Sequence, residues 1–481
     1  MAKSTTRTTV AIEMTMLAVL AVAFALVLVR PMSRGATDPV EPAGARRDDS
    51  MASVEGQDAP SSSAAGRDPS ATQTTPDATA ARPLSVAWGA RPDVDHRIDL
   101  RSARPQQAWR GVGAALTDAS AELLRAHPAA IDMLFEPDAG RSAGLDLIRL
   151  PLSATDFSSR PWTWTLHDDG RVEPAPEALE ALDTLDRIRR VQPALQVVAA
   201  AWTSPSAMRS EPDSPGGALL DGAIDGYARL LIGQVEYLAE RGVPLAAISL
   251  GNEPGHVANY PTLTMTTAQM IDLSRRVEPH LEGTELWALD HNWSDSEIAH
   301  QLEQRGKFDA VAYHCYDGAP AEMADVALPR LVSECTATTG GWRTSVGWMA
   351  RELVGNSIRA GSEGLIMWNL ALDPDHGPKA PGGCETCRGL LVIDPATGAA
   401  TTTPEFDVLT HLSTAADPGA SVLATDAVRG LSIAAFRNPD GSIGVFGHND
   451  SANMLSLEFR MPDEHTMTVE VEPWALFSIR T

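Results

Sequence analysis

Two glutamates stand at the exits of two apolar runs: Glu253 in LAAISLGNEP (245–254) and Glu334 in LVSEC (331–335). Each run reads as a short buried strand ending in a carboxylate, and a carboxylate on a strand tip can be held rigidly at the rim of a sheet. Two such groups facing each other can break an acetal: one protonates the departing oxygen while the other attacks the carbon it leaves. A strand-end glutamate taken alone is more often a surface ion-pair partner. The reading therefore depends on whether the chain brings these two together.

The surrounding elements are suited to do so. Apolar strand-like runs recur at 108–116, 144–153, 195–203, 245–253, 285–292, 309–315, 330–335 and 363–370. Amphipathic helical patterns lie between most of them, among them 176–191, 224–241, 267–280 and 342–360. A doubly wound open sheet would alternate in the same way, but eight runs favour a (β/α)8 TIM barrel. Nearly every run carries its polar residues at its C-terminal end: Thr117-Asp118, Trp202, Asn252-Glu253, Asp290-His291-Asn292, His314, Glu334 and Trp368-Asn369. In a barrel those ends converge on one face.

From 421 onward the pattern shifts to short alternating segments, with NPDG at 438–441 as a hairpin turn, which reads as a small attached β-sandwich. The piece at 84–100 is expected to complete it. The predicted domains are thus an N-terminal segment 1–33, a linker 34–82, strands at 83–104, a barrel 105–410 and a sandwich 411–481.

The chain of 481 residues is 43% hydrophobic, enough for a large core, and carries 38 Lys+Arg against 63 Asp+Glu, a formal charge of -25. Such a surface repels phosphate backbones and anionic headgroups, which argues against a nucleic-acid partner and suits a neutral substrate; solubility alone would also account for it. The run MTMLAVLAVAFALVLV (14–29) follows Lys3 and Arg7 with no A-x-A site directly after it. It reads as an uncleaved signal-anchor in preference to a cleaved signal peptide, with the rest of the chain secreted or tethered outside the cell and only this segment in contact with membrane. The linker 34–82 has almost no large apolar residues and is expected to be a disordered stalk. Export makes the four cysteines disulfide candidates, most simply Cys384–Cys387 and Cys315–Cys335, with a zinc site as the alternative.

With these residues in view, the chain resembles glycoside hydrolase family 30, the glucosylceramidase-like family of barrel plus β-sandwich, from about residue 95 to the end. The matching motifs are GVGAALTDAS from Gly111, IRLPLSATDFS from Ile148, AWTSPSAMRS from Ala201, ISLGNEP from Ile248, VAYHCY from Val311, LVSEC from Leu331 and WNLALDP from Trp368. The resemblance implies that Glu253 is the acid/base and Glu334 the nucleophile of a retaining double displacement, which needs the carboxyls about 5–5.5 Å apart. It also implies that Glu253 sits where it stays protonated until used. Asn252 is expected to hydrogen-bond the sugar 2-hydroxyl. Asp118 matches the family aspartate that grips the outer hydroxyls, with an N-cap for the helix near Ala119 as the competing role. Trp202 and Trp368 are expected to stack on the sugar, and His314 and Tyr316 to border the nucleophile.

After WNLALDP the chain departs from the lysosomal-type pattern with HGPKAPGGCETCRGLLVIDPATG from His376. This Cys-bearing loop, with DHNW from Asp290 and HCY from His314, looks like the microbial branch that includes endo-β-1,6-glucanases. The expected substrate is a β-1,6-linked glucan, with glucosylceramide or another β-glucoside as the alternative. The expected protein is a monomer that needs no cofactor or metal. An inert carbohydrate-binding barrel would have lost one of the glutamates, and an adhesion protein would leave the strand-tip residues unexplained.

Overall fold

Each of the eight runs forms a parallel strand: β1 (Gly111–Ala115), β2 (Leu147–Pro151), β3 (Gln196–Ala200), β4 (Ala247–Ser249), β5 (Glu285–Asn292), β6 (Ala310–His314), β7 (Arg330–Glu334) and β8 (Ser362–Met367). They pair in sequence order and close through β8 on β1, which makes the expected barrel. The computed structural model describes residues 69–481 apart from 79, 137–140 and 339. The apolar segment 14–29 and most of the 34–82 stretch lie outside the described residues. Among the described residues no helix is long and apolar enough to cross a membrane.

Strands covered on both faces must be apolar almost throughout, and these are. Leu147, Val198, Ala247, Trp287, Ala310, Ala312, Leu331 and Ile366 form one buried cluster inside the barrel. Two residues further along a strand the side chain returns to the same face. There Arg149 follows Leu147, Ser249 follows Ala247 and Ser333 follows Leu331, so an apolar layer is overlaid by a polar one. Gly113 lets β1 and β2 approach: a Cβ there would lie 2.2 Å from the Leu147 carbonyl oxygen.

The outer helices include Pro176–Val191, Ile224–Glu240 and Thr267–Val277, close to the expected bounds. The pattern at 342–360 divides into an α-helix Trp342–Trp348, a π-helix Met349–Asn356 and a last turn Ser357–Arg359. The sandwich has a seven-stranded sheet, which includes the hairpin Leu431–Arg437 and Ile443–Asn449 on either side of NPDG, and a four-stranded sheet containing Val86–Trp88 and His96–Asp99.

Two expected boundaries change. Ser70–Thr74, placed in the linker by composition, is a strand of the seven-stranded sheet, paired along its length with Leu476–Arg480. Its neighbour supplies the backbone partners and the buried surface, so a strand of small polar residues suffices. Pro105–Ala108, assigned to the barrel, pairs instead with Ser421–Leu423 of the sandwich. The barrel therefore begins at Gly111.

At the foot of β2, Asp146 is largely buried, and burial pushes its carboxyl up to about 7 despite a hydrogen bond from the Val112 amide. A carboxyl raised on folding stabilises at low pH, and that contribution is lost as pH rises from about 4 to about 7. Asp146→Asn should therefore overtake the parent in Tm across that window, by roughly 2–5 °C at pH 8. Equal melting profiles from pH 4 to pH 8 would show that the carboxyl is not desolvated.

Candidate active site

Glu334 ends β7, and Glu253 lies just beyond β4. Neither position follows from simple alternation. On β7 the pairing with β6 passes from Tyr313↔Val332 to His314↔Glu334, so Ser333 is an extra residue and both Ser333 and Glu334 reach the interior. On β5, Leu289 pairs with Ala312 and His291 with Tyr313, which leaves Asp290 as the bulge, with Leu289 and Asp290 at φ 68° and 53°. Glu253 is itself left-handed at φ 45°, and its amide donates to the Asp290 carbonyl at 2.9 Å. Non-glycine residues held in this region cost about 1–3 kcal/mol and need surroundings that impose the conformation. The result is that a carboxylate oxygen of Glu253 and one of Glu334 lie within 4.8 Å of each other.

Beneath them runs a buried ionic network. Arg149, 1% exposed, donates from Nη2 to Asn252 Oδ1 and Asp290 Oδ2, each at 2.8 Å, and from Nη1 to Glu334 Oε2. Asp290 also accepts from Ser249 Oγ (2.6 Å), Ser333 Oγ (2.7 Å) and His314 Nε2 (3.1 Å). Burial opposes the charge on Asp290, but Arg149 and His314 overcome it and hold the carboxyl far below its ordinary range. Sequence reasoning passed over Arg149, although an arginine in the middle of the five-residue buried strand LIRLP was a visible signal. Asp290 reads in the sequence only as one of the polar strand-end residues.

His314 joins the two halves of the site. Its Nδ1 donates to Glu253 Oε1 at 3.0 Å while Nε2 donates to Asp290 Oδ1, so both ring nitrogens carry protons. Burial disfavours the imidazolium, but Glu334, Asp290 and Glu253 outweigh that and raise it to about 9. This corrects the expectation for Glu253. Burial pushes its carboxyl up, yet the His314 proton and the nearby His291 and His256 draw it below the ordinary value. In the free site the shared proton therefore rests on His314. Glu253, His314 and Glu334 also have ligand-type atoms within 4.8 Å of one another, with both His314 ring nitrogens engaged by Glu253 and Asp290.

The other expected residues divide. Asn252 joins the network: Arg149 fixes its amide oxygen, which leaves Nδ2 as its donor end. Tyr316 donates its hydroxyl to Glu334 Oε1 at 2.8 Å, so Arg149 and Tyr316 together aim that carboxylate. Trp202 and Trp368 stack on one another, 5.0 Å between centroids and 21° apart, with the Arg149 guanidinium 4.6 Å above Trp202. They form one nearly buried slab.

Asp118 lies beside the loop after β2, where the Ala119 amide donates to the Phe157 carbonyl at 3.1 Å. It is the first residue of the helix Asp118–Ala126, whose N-cap is Thr117, and its carboxylate accepts from Trp162 Nε1 at 2.6 Å. The carboxylate that shares the field of Glu253 and Glu334 is Asp156, from the motif IRLPLSATDFS. Burial and then Glu334 raise it well above the usual range, and Trp368 donates to it. The resemblance points to Asp118 alone; the loop after β2 that folds Asp156 inward is not legible in the sequence.

Both expected disulfides are present. Cys315–Cys335 ties the ends of β6 and β7 beside His314 and Glu334, and Cys384–Cys387 lies in the loop whose Ala380 amide holds the Asp156 carbonyl at 2.7 Å.

A parallel barrel with two carboxylates at the C-terminal rim, tryptophans beside them and hydrogen-bonding groups for hydroxyls defines a glycoside hydrolase. The comparisons agree: residues 109–274 match the Glycosyl hydrolase family 30 TIM-barrel domain. Over 406 residues it is 25% identical to the endo-1,6-beta-D-glucanase neg1 of Aspergillus fumigatus, covering 74% of this chain and 81% of the relative. Over 415 residues it is 24% identical to the endo-1,6-beta-D-glucanase of Neurospora crassa, covering 79% and 85%. The solved structure of the endo-beta1,6-glucanase BT3312 superposes with a TM-score of 0.76 at 23% identity, over 86% of this chain and 99% of that one.

Because the proton of the Glu253–His314 pair is held up to about pH 9, kcat/KM should fall on the alkaline side through that value as the pair loses it. His314→Asn should move this alkaline limb to lower pH. The protonated imidazole also stabilises the fold, fully below its unfolded value near 6.5 and not at all above about 9. An unshifted limb in the variant would show that the proton is not shared.

Proposed function

We propose that the protein is a retaining β-glucan hydrolase that cleaves β-1,6-linked glucan. The observation that carries the reading is the approach of Glu253 and Glu334 to within 4.8 Å at the tips of β4 and β7. An inverting pair needs about 6.5–9.5 Å to admit a water between them, whereas direct attack suits the shorter spacing. Glu334 attacks the anomeric carbon, aimed by Arg149 and Tyr316. His314 passes its proton through Glu253 to the leaving oxygen, which leaves Glu253 anionic and the imidazole neutral; Glu253 then takes a proton from the water that releases the sugar and returns it to His314. Asn252 Nδ2 serves the 2-hydroxyl, Asp156 the outer hydroxyls, and Trp368 the ring face.

The substrate reading is supported by the names of the two fungal relatives and by the Cys-bearing loop at the rim. A groove of about 550 Å³ beside the site supports a polymer as substrate. It is lined by Tyr260, Arg160, Pro212, Pro261 and Pro381, and the Tyr260 phenol, desolvated there, also feels Asp156, Glu253 and Glu334. Two disulfides support an exported protein, in keeping with the N-terminal apolar segment.

On the full-length chain, Glu334→Gln should lower kcat by about three orders of magnitude or more on every substrate. Glu253→Ala should cost about 10²–10⁴-fold on glucan, far less on aryl β-glucosides, with azide restoring turnover of the glycosyl-enzyme. Near-normal Glu334→Gln activity, or equal losses without azide rescue in Glu253→Ala, would refute these roles. Short β-1,6 oligomers should appear early from the polymer; release of glucose alone, or action confined to glucosylceramide, would assign an exo-acting glucosidase instead.

A further inference from the structure

Behind the nucleophile strand is a second cavity, of about 260 Å³, that the reaction does not use. Its inner wall includes Cys335 and Met367, the chain neighbours of Glu334 and Trp368, and its outer wall includes Trp348, 37% exposed. Met349 and Leu353 of the π-helix line it as well, and such widened turns are frequent at functional positions.

The polar wall is incomplete. Glu405 is 2% exposed and uses Oε1 alone, accepting from Ser345 Oγ and, at 2.6 Å, from Arg388 Nη2. Its Oε2 is buried without a hydrogen-bond partner, and so is Arg388 Nε of the same ion pair. An unpartnered buried carboxylate oxygen calls for a donor. The Arg388 charge already balances Glu405, so a cation is not required, while the free carboxylate oxygen repels an anion. What remains is a neutral donor. The hydroxyls of Thr338, Thr344 and Ser345 beside the indole of Trp348 suit a ring with hydroxyls at its edge and an apolar face.

We propose that this cavity is a second, non-catalytic sugar site that takes one pyranose unit of a neutral glucan and holds the polymer against the barrel flank. The site is argued from its own side chains; only the choice of a β-1,6 probe rests on the proposed substrate.

The test is calorimetric titration of a β-1,6-linked glucotetraose into the full-length Glu334→Gln protein, repeated with Trp348→Ala or Thr344→Arg added. Two sites are expected, one of them weakened about tenfold by Trp348→Ala and closed by Thr344→Arg, which fills the cavity from an exposed position. With Glu334 intact, each variant should lower kcat/KM on the polymer several-fold and leave the aryl β-glucoside unchanged. A single site indifferent to both substitutions would overturn the proposal and assign the Glu405 oxygen to bound water. Losses on the aryl substrate equal to those on the polymer would do the same. If the polymer is cleaved but only one site is found, this inference fails and the substrate reading stands. If β-1,6-glucan is not cleaved yet a Trp348-dependent site binds the probe, the reverse holds.

Discussion

The buried pair of Arg149 and Asp290 is the constraint on which the site depends. Removing two charges from water is costly, and a low-dielectric interior repays it only when every lone pair and proton finds a partner. Here the matching is close: Asp290 accepts from four donors, and Arg149 spans Asp290, Asn252 and Glu334. The network sits on an apolar layer and beneath the Glu253 and Glu334 carboxylates, so it both excludes water and sets their field. Three carboxylates, Glu253, Glu334 and Asp290, face two cations, Arg149 and His314. A site built this way can gain or lose one proton without leaving a charge stranded, which is what acid/base catalysis by a buried group requires.

Position is governed by irregularity in otherwise regular strands. A strict two-residue alternation would send Ser333 and Glu334 to opposite faces of the sheet, and likewise Leu289 and Asp290. The bulges on β7 and β5 bring the second member of each pair inward. The Cys315–Cys335 bridge then fastens β6 and β7 just beyond the register shift. Regular strands supply rigidity, while the bulges and the left-handed Glu253 supply aim.

The rim and flank carry features that the barrel does not dictate. The loop bearing Cys384–Cys387 packs with Trp202, Trp368 and Phe157 and so meets the aromatic slab. Two concave regions adjoin the strand ends, one beside the carboxylates and one behind β7. A strongly acidic surface offers an uncharged ligand no electrostatic steering, so recognition falls to the shape and hydrogen-bonding groups of these concave regions.

By itself the sequence determined the eight strands, the helices between them, the NPDG hairpin, both disulfide pairs and the two glutamates. Each of these is written locally: apolar runs of strand length, helical periodicity, turn residues, a cysteine at the end of each of two adjacent runs. The motifs also placed Asn252, His314, Tyr316 and Trp368 at the site. The tertiary structure decided what depends on contacts distant along the chain. Arg149 lies 141 residues from Asp290, so a buried arginine could be seen in the sequence but not its partner. Asp156 enters the field of Glu253 and Glu334 because a loop, not a strand end, carries it inward. Ser70–Thr74 became a strand only because Leu476–Arg480 lies beside it. The resting place of the proton shared by Glu253 and His314 was likewise beyond the sequence, since a pKa is set by the charges that folding assembles around a group and not by the residues on either side of it.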